Sequence, residues 1–198
     1  MQLLLNTTSP YARIARIALA EKGHANIGTT LVDPWADAPP LLKANAAARV
    51  PALLTDEGRP LTESLLIVLW LETQKPQPSL LGSDPTASIS RAGIAMGVID
   101  AAVHTLIGRK ITDAGFDGSP VGLRRRRTIV EGLSRLEADP PAFESGTPDL
   151  AVIASVVALD YVRFRFPDAA WLPELPKLTR LAVRLNARAS FESSLPRA

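Results

Sequence analysis

The 198-residue sequence contains no cysteine. This excludes disulfide frameworks, thiolate-bound zinc or iron–sulfur centres, and any thiol nucleophile of the protein's own. Sulfur chemistry would have to use a borrowed thiol. Histidine is nearly as scarce: the chain has only His24 and His104, far apart and without a metal-ligand spacing such as H-E-x-x-H, so no metal site is expected. Long apolar runs are missing as well. The longest uncharged one, Leu65 to Leu71, is too short to cross a bilayer, and Met1 to Asn6 lacks the basic and apolar regions of a signal peptide. These absences point to a cytoplasmic protein with no membrane partner.

What is present suits a folded domain. Hydrophobic residues make up 46% and charged residues 21% of the chain, far from the apolar-poor signature of disorder. Gln2 to Leu5 reads as a strand, and Asn6 to Pro10 is a polar break. Ile14, Ile17, Ala18 and Glu21 then follow at helical spacing, with Gly23 placed to stop that helix. A β-rich run from Ile27 to Val32 comes next, then a loop and a short helix near Leu41 to Asn45. Val50 to Leu54 and Arg59 to Leu61 have the spacing of a hairpin turning through Gly58. The helix Glu63 to Thr73 is apolar on all sides across Leu65 to Leu71, so it is expected to be wedged between layers and away from water. The proline-rich segment 77–85 reads as a linker. Beyond it only helical patterns occur, the clearest being Leu150, Ile153, Ala154, Val157, Ala158, Tyr161 and Phe164, followed by Leu175, Leu178, Ala182 and Leu185.

This order, a βαβ unit, a hairpin with a helix, and then an all-helical half, resembles the glutathione transferase superfamily. The motifs carry the likeness further. Thr7-Thr8-Ser9-Pro10-Tyr11-Ala12-Arg13 with Ala18-Leu19-Ala20-Glu21-Lys22-Gly23 is similar to the strand-to-first-helix segment of many bacterial members. Arg49-Val50-Pro51-Ala52-Leu53, Leu61-Thr62-Glu63-Ser64 and Arg188-Ala189-Ser190-Phe191 are similarly placed. The resemblance implies a thioredoxin-like glutathione-binding domain over 1–76, a linker over 77–85 and an all-α helical bundle domain over 86–198.

It also implies site residues. Members activate the thiol of glutathione with a side chain at the start of the first helix. In some classes the active hydroxyl lies two residues before the proline, matching Thr8, and in others immediately before it, matching Ser9. Ser9 is taken as the catalytic residue and Thr8 as the alternative within the glutathione site. From the sequence alone Ser9 reads as a plain N-cap. A free thiol has a pKa of about 8.5, so keeping it ionised at pH 7 needs a shift of roughly two units, about 3 kcal/mol. A helix N-terminus supplies about 0.3 to 1 kcal/mol and a hydrogen bond to a charged group about 1.5 to 3. Together they suffice without a protein base.

The resemblance further implies a cis bond at Val50-Pro51, glutathione pairing with the Val50 backbone, and the Arg49 cation near the glycyl carboxylate. Ser64 and the helix start are expected to bind the γ-glutamyl carboxylate, with Glu63 accepting from its ammonium; capping is the plain alternative. Two positions depart from the family pattern. Asn45-Ala46-Ala47-Ala48 stands where a Pro and a Gly are usual, and Val152 replaces the acidic partner of a capping box begun by Asp149.

The implied function is a cytoplasmic transferase of detoxification. It would use glutathione as cosubstrate, conjugating it to a small hydrophobic electrophile (alkyl or aryl transfer) or reducing a peroxide. A non-catalytic glutathione-binding or protein-interaction module of the same fold is the rival. A homodimer is expected, with Ile89, Met96, Ile99 and Val103 as an apolar stripe. Arg124 to Arg127 reads as a solvated helix face and not as a nucleic-acid site, because successive helical residues diverge and no aromatic side chains are interleaved.

Overall fold

The computed structural model describes residues 1–196. The described residues divide into two compact units, one comprising Met1–Leu80 with residues 186–196, the other Leu81–Leu185.

The first unit is built on a four-stranded sheet of order β2-β1-β3-β4, from β1 (Gln2–Leu5), β2 (Gly28–Leu31), β3 (Ala52–Leu54) and β4 (Pro60–Thr62). β1 pairs with β2 in parallel and with β3 antiparallel, and β3 pairs with β4 antiparallel. A parallel β1–β2 pair requires a crossover, supplied by helix α1 (Pro10–Glu21). α1 ends where its sequence predicts. Gly23 takes φ +88°, its N–H donates to Ala20 C=O at 3.0 Å, and His24 N–H donates to Leu19 C=O at 2.8 Å, the two bonds of a Schellman cap. Leu3, Leu4 and Leu5 are all buried. Leu4 packs with Val32, Leu41, Ala44, Val50 and Ala52, while alternation turns Leu3 and Leu5 to the opposite face. Leu41 and Ala44 come from helix α2 (Pro39–Ala44).

Helix α3 (Ser64–Gln74) corrects one expectation. Ile67, Val68 and Leu71 are buried, but Leu66 and Leu69 are more than half exposed, and Leu65 lies beside them. The helix is apolar all round and yet buries only one face within the chain. Its far end is fixed by the buried Lys22, whose ammonium pairs with Glu72 and donates to the carbonyls of Lys75 and Pro78, each at 2.6 Å. All three ammonium protons are thereby used, which is what makes a buried lysine tolerable.

The resemblance implies a helical half over 86–198. Grouped by contacts, the described residues from Asn186 on go with the sheet unit. Arg188 donates twice to the Glu21 carboxylate at 2.6 Å, Ser190 Oγ donates to the same carboxylate, and Arg16 donates to Ser193 C=O at 2.6 Å. The short helix α8 (Ala189–Glu192) is thus held against α1, with Phe191 fully buried.

The second unit contains α4 (Pro85–Ile111), a 3-10 turn (Ala114–Gly118), α5 (Pro120–Ala138), α6 (Leu150–Arg165) and α7 (Pro176–Asn186) as far as Leu185. No strand occurs in it among the described residues. The predicted α6 stripe is buried up to Tyr161, and so are Val152, Val156, Leu159 and Val162 on its other sides. α6 is therefore the central helix, packed against α4. α4 and α5 approach closely at Gly132, where a Cβ would stand 2.4 Å from Val98 Cγ2. α4 is long and apolar enough to cross a membrane by length and composition; here its apolar positions Ala92, Ala95, Val98, Ile99 and Ala102 are core. Of the stripe predicted on it, Ile99 is buried, Met96 and Val103 are half-buried, and Ile89 is exposed. Asp149 caps α6 by accepting from Val152 N–H at 2.9 Å. The capping box is incomplete at Val152, but Ser88 Oγ accepts from Ala151 N–H at 3.3 Å and satisfies a further donor of that helix start.

Candidate functional site

Three chain segments singled out by sequence emerge at the same end of the sheet's strands. The register Leu4↔Ala52 sets the end of β1 beside the start of β3, and Ala52↔Thr62 sets the end of β4 there too. The Asn6–Ser9 turn leaves β1, Val50-Pro51 enters β3, and Glu63-Ser64 leaves β4. Antiparallel pairing on both sides of β3 makes this convergence a matter of topology.

At the first segment, Ser9 is the N-cap of α1 and Pro10 its first residue, a favoured combination because proline lacks the N–H that would go unpaired there. Ala12 N–H donates to Ser9 Oγ at 3.2 Å. The plain capping role is therefore real, and it uses the oxygen as an acceptor while leaving its proton free. Thr8 differs: its Oγ1 lies 2.8 Å from Asn6 Oδ1. Both side chains are half-buried.

At the second segment the Val50–Pro51 peptide is cis, as the resemblance implies. Val50 is buried, and among the described residues neither its N–H nor its C=O pairs with another group. The turn before it is built around the buried Asn45. Its Oδ1 accepts from Ala47 N–H at 3.0 Å, its Nδ2 donates to Arg49 C=O at 2.8 Å, and its C=O accepts from Ala48 N–H at 2.9 Å. Ala48 takes φ +52°, the left-handed region that favours glycine. This is the stretch that departs from the family pattern.

At the third segment, Glu63 precedes α3 with φ +64° and makes no side-chain cap. Ser64, 3% exposed, has a hydroxyl with no partner among the described residues. Neither side chain caps the helix, so the first N–H groups of α3 are not met by one. Arg49 and Glu63, which the resemblance gives to opposite ends of a ligand, pair with each other here, Arg49 Nη2 donating to Glu63 Oε1 at 2.7 Å.

Sequence reasoning missed Asn6 and Asn45, which shape the two turns. The available signal was asparagine two residues ahead of a turn N–H, the pattern of an Asx turn. Arg126, in the arginine run, stacks over Trp171 at 5.7 Å, an aromatic neighbour distant in sequence. Nearby, Arg109 grips Asp117 through two hydrogen bonds, from Nε at 2.8 Å and from Nη2 at 2.5 Å. This pairing holds the Asp117 carboxyl below its usual range, with burial opposing. No cluster of three or more potential metal ligands occurs among the described residues.

Residues 8–74 match the family model described as the N-terminal domain of glutathione S-transferase. A maleylacetoacetate isomerase of Pseudomonas aeruginosa is 31% identical over 203 residues, spanning 96% of this chain and 92% of its own. The chain belongs to the glutathione transferase superfamily. Among solved structures, a glutathione S-transferase of Methylobacterium radiotolerans in complex with glutathione sulfonate is 34% identical. It superposes with a TM-score of 0.89 over 100% of this chain and 95% of its own. Another from Methylobacillus flagellatus, with GSH bound, is 30% identical with a TM-score of 0.87, covering 99% of each chain. The superfamily's thioredoxin-like unit and helical remainder are those described above.

Proposed function

We propose that this chain is a glutathione-dependent transferase, using glutathione as cosubstrate with Ser9 as the catalytic hydroxyl. The observation that carries this reading is the uncapped start of α3 beside an unpaired Val50 backbone. Ser64, the α3 N–H groups and the Val50 N–H and C=O are donors and acceptors left open, among the described residues, at one end of the sheet's strands. A γ-glutamyl carboxylate suits the helix start, and an extended peptide suits the Val50 backbone as a short antiparallel strand. Arg49 would take the glycyl carboxylate and Glu63 the ammonium, each leaving the other. Pro51 and Thr8 complete the site.

In this mechanism the thiol sits at the α1 N-terminus. Ser9 donates its free proton to the thiolate, lowering the thiol's pKa so that sulfur attacks an electrophile or a peroxide at neutral pH. Ser9 is not the nucleophile, since no His or Lys is placed to deprotonate it. The acceptor is a small hydrophobic electrophile, and the setting is cytoplasmic detoxification. We also propose a homodimer, supported by the exposed apolar face of α3 at Leu65, Leu66 and Leu69. Sedimentation as a single monomer-mass species at micromolar concentration would reject it.

The deciding experiment is calorimetric titration with glutathione, followed by turnover against electrophiles, peroxides and maleylacetoacetate, the last because a relative is a maleylacetoacetate isomerase. Tight binding with turnover supports the transferase. Binding without any turnover supports a glutathione-binding module, and absence of binding overturns both.

A further inference from the structure

Asn6 closes the turn between β1 and α1 with both of its oxygens. Its main-chain carbonyl accepts from Ser9 N–H at 3.2 Å, and its Oδ1 accepts from Thr8 N–H at 3.0 Å and from Thr8 Oγ1 at 2.8 Å. The direction of these bonds is fixed by chemistry. A backbone N–H can only donate, so the amide atom facing Thr8 is oxygen and not nitrogen. A hydroxyl 2.8 Å from that same oxygen must then be the donor. The one proton of the Thr8 hydroxyl is committed to Asn6.

Ser9 stands in the opposite condition. Its N–H is taken by Asn6, its carbonyl accepts from Arg13 N–H at 3.0 Å, and its Oγ accepts from Ala12 N–H at 3.2 Å. Only its hydroxyl proton remains. A thiolate is stabilised by donors, and of two adjacent hydroxyls only one has a proton to give.

We propose that Asn6 is a positioning residue that selects Ser9 over Thr8 as the donor to the thiol, an inference that rests on the glutathione site proposed above. Asn6 does this twice over. It occupies the Thr8 hydroxyl, and it anchors the Ser9 main chain so that the cap forms with Oγ turned as an acceptor toward α1. Its side chain touches no reacting atom in this scheme. Its effect is exerted wholly through Ser9.

The test is the ultraviolet thiolate absorbance of the glutathione complex against pH, with affinity measured in parallel, for wild type, Asn6→Ala, Asn6→Ser, Ser9→Ala and the double variant Asn6→Ala/Ser9→Ala. Ser9→Ala is expected to raise the pKa of the bound thiol by about one to two units and Asn6→Ala by about one. Asn6→Ser, which can close the same turn more weakly through its hydroxyl, is expected to recover about half of the Asn6→Ala shift. The double variant should titrate with Ser9→Ala, and glutathione affinity should stay within about threefold in Asn6→Ala, because the γ-glutamyl end is untouched. A wild-type titration for Asn6→Ala, with Ser9→Ala shifted, overturns the role of Asn6 while leaving the site intact. Additive shifts in the double variant overturn it too, by showing that Asn6 acts apart from Ser9. If Ser9→Ala itself does not shift, the reading of Ser9 fails and the role of Asn6 with it. Should Asn6→Ala not fold, the same cycle with Asn6→Ser, at about half the amplitude, decides between these outcomes.

Discussion

Arg49 and Glu63 form an ion pair at 2.7 Å, although the proposed function gives each to a different end of the same ligand. The side chains are 68% and 49% exposed, so the pair is worth about 0.2 to 1 kcal/mol and yields readily to a better partner. On the proposed function it acts as a placeholder, each charge parked on the other until a carboxylate and an ammonium arrive. This predicts a signature in glutathione affinity. Each single variant, Arg49→Ala or Glu63→Gln, loses a ligand contact but also abolishes the pair that the ligand must break. The double variant loses both contacts and gains that relief only once. Its loss in calorimetry should therefore exceed the sum of the singles by about 0.2 to 1 kcal/mol. Strict additivity would show that the pair persists in the complex.

Ser64→Ala should weaken glutathione about ten- to a hundredfold, the worth of one charge-assisted hydrogen bond of about 1.5 to 3 kcal/mol. The thiol pKa in the complex should hardly move, because the proposed function sets Ser64 at the γ-glutamyl end and not at sulfur. Unchanged affinity would displace the γ-glutamyl group from the start of α3.

Ala48 sits at φ +52° in the turn held by Asn45. A left-handed conformation costs a residue with a Cβ about 1 to 2 kcal/mol, and glycine returns part of that gain as chain entropy in the unfolded state. Ala48→Gly should therefore stabilise the protein by about 0.5 to 1 kcal/mol in denaturant unfolding. Destabilisation would mean that the turn relaxes out of this conformation in solution.

The Arg109–Asp117 pair carries a pH dependence whose sign is fixed. The pairing lowers the Asp117 pKa below its unfolded value of about 3.9. Its contribution is fully present above that value and is lost as pH falls through the folded pKa. Both side chains are partly exposed, so about 0.5 to 1 kcal/mol is involved. Asp117→Asn should be less stable than wild type at pH 6, and the difference should shrink below about pH 4. A difference constant down to pH 2.5 would assign the effect to packing.

The sequence carried the order of elements because each is marked locally. The apolar run in Gln2–Leu5, the Gly23 stop, the Gly58 turn and the α6 stripe are all short-range signals, and the structure has each of them. The failures are long-range. Nothing near Leu66 or Leu69 says whether another layer covers them, since apolar surface on all sides of α3 is equally compatible with burial and with an open face. Nothing near Arg188 says that its partner is Glu21. The Arg49–Glu63 pair was hidden for a related reason. Each residue was assigned through the ligand, whereas in the free chain the nearest opposite charge wins. The hydroxyls of Thr8 and Ser9 look equivalent in sequence, and only the direction of the Asn6 bonds separates them.

The return of the chain to the sheet unit bears on how the protein is made. Glu21, whose side chain is only 4% exposed, receives its partner Arg188 from 167 residues downstream. On the ribosome β1 and α1 emerge long before the Arg188 cation that neutralises Glu21 and the Phe191 ring that fills the adjoining core. Until those residues are made, the sheet unit lacks the partner of a buried carboxylate and one of its core side chains. Every residue of the helical unit, through Leu185, is added before Arg188. The unit whose strands are made first is therefore the one whose set of residues is completed second.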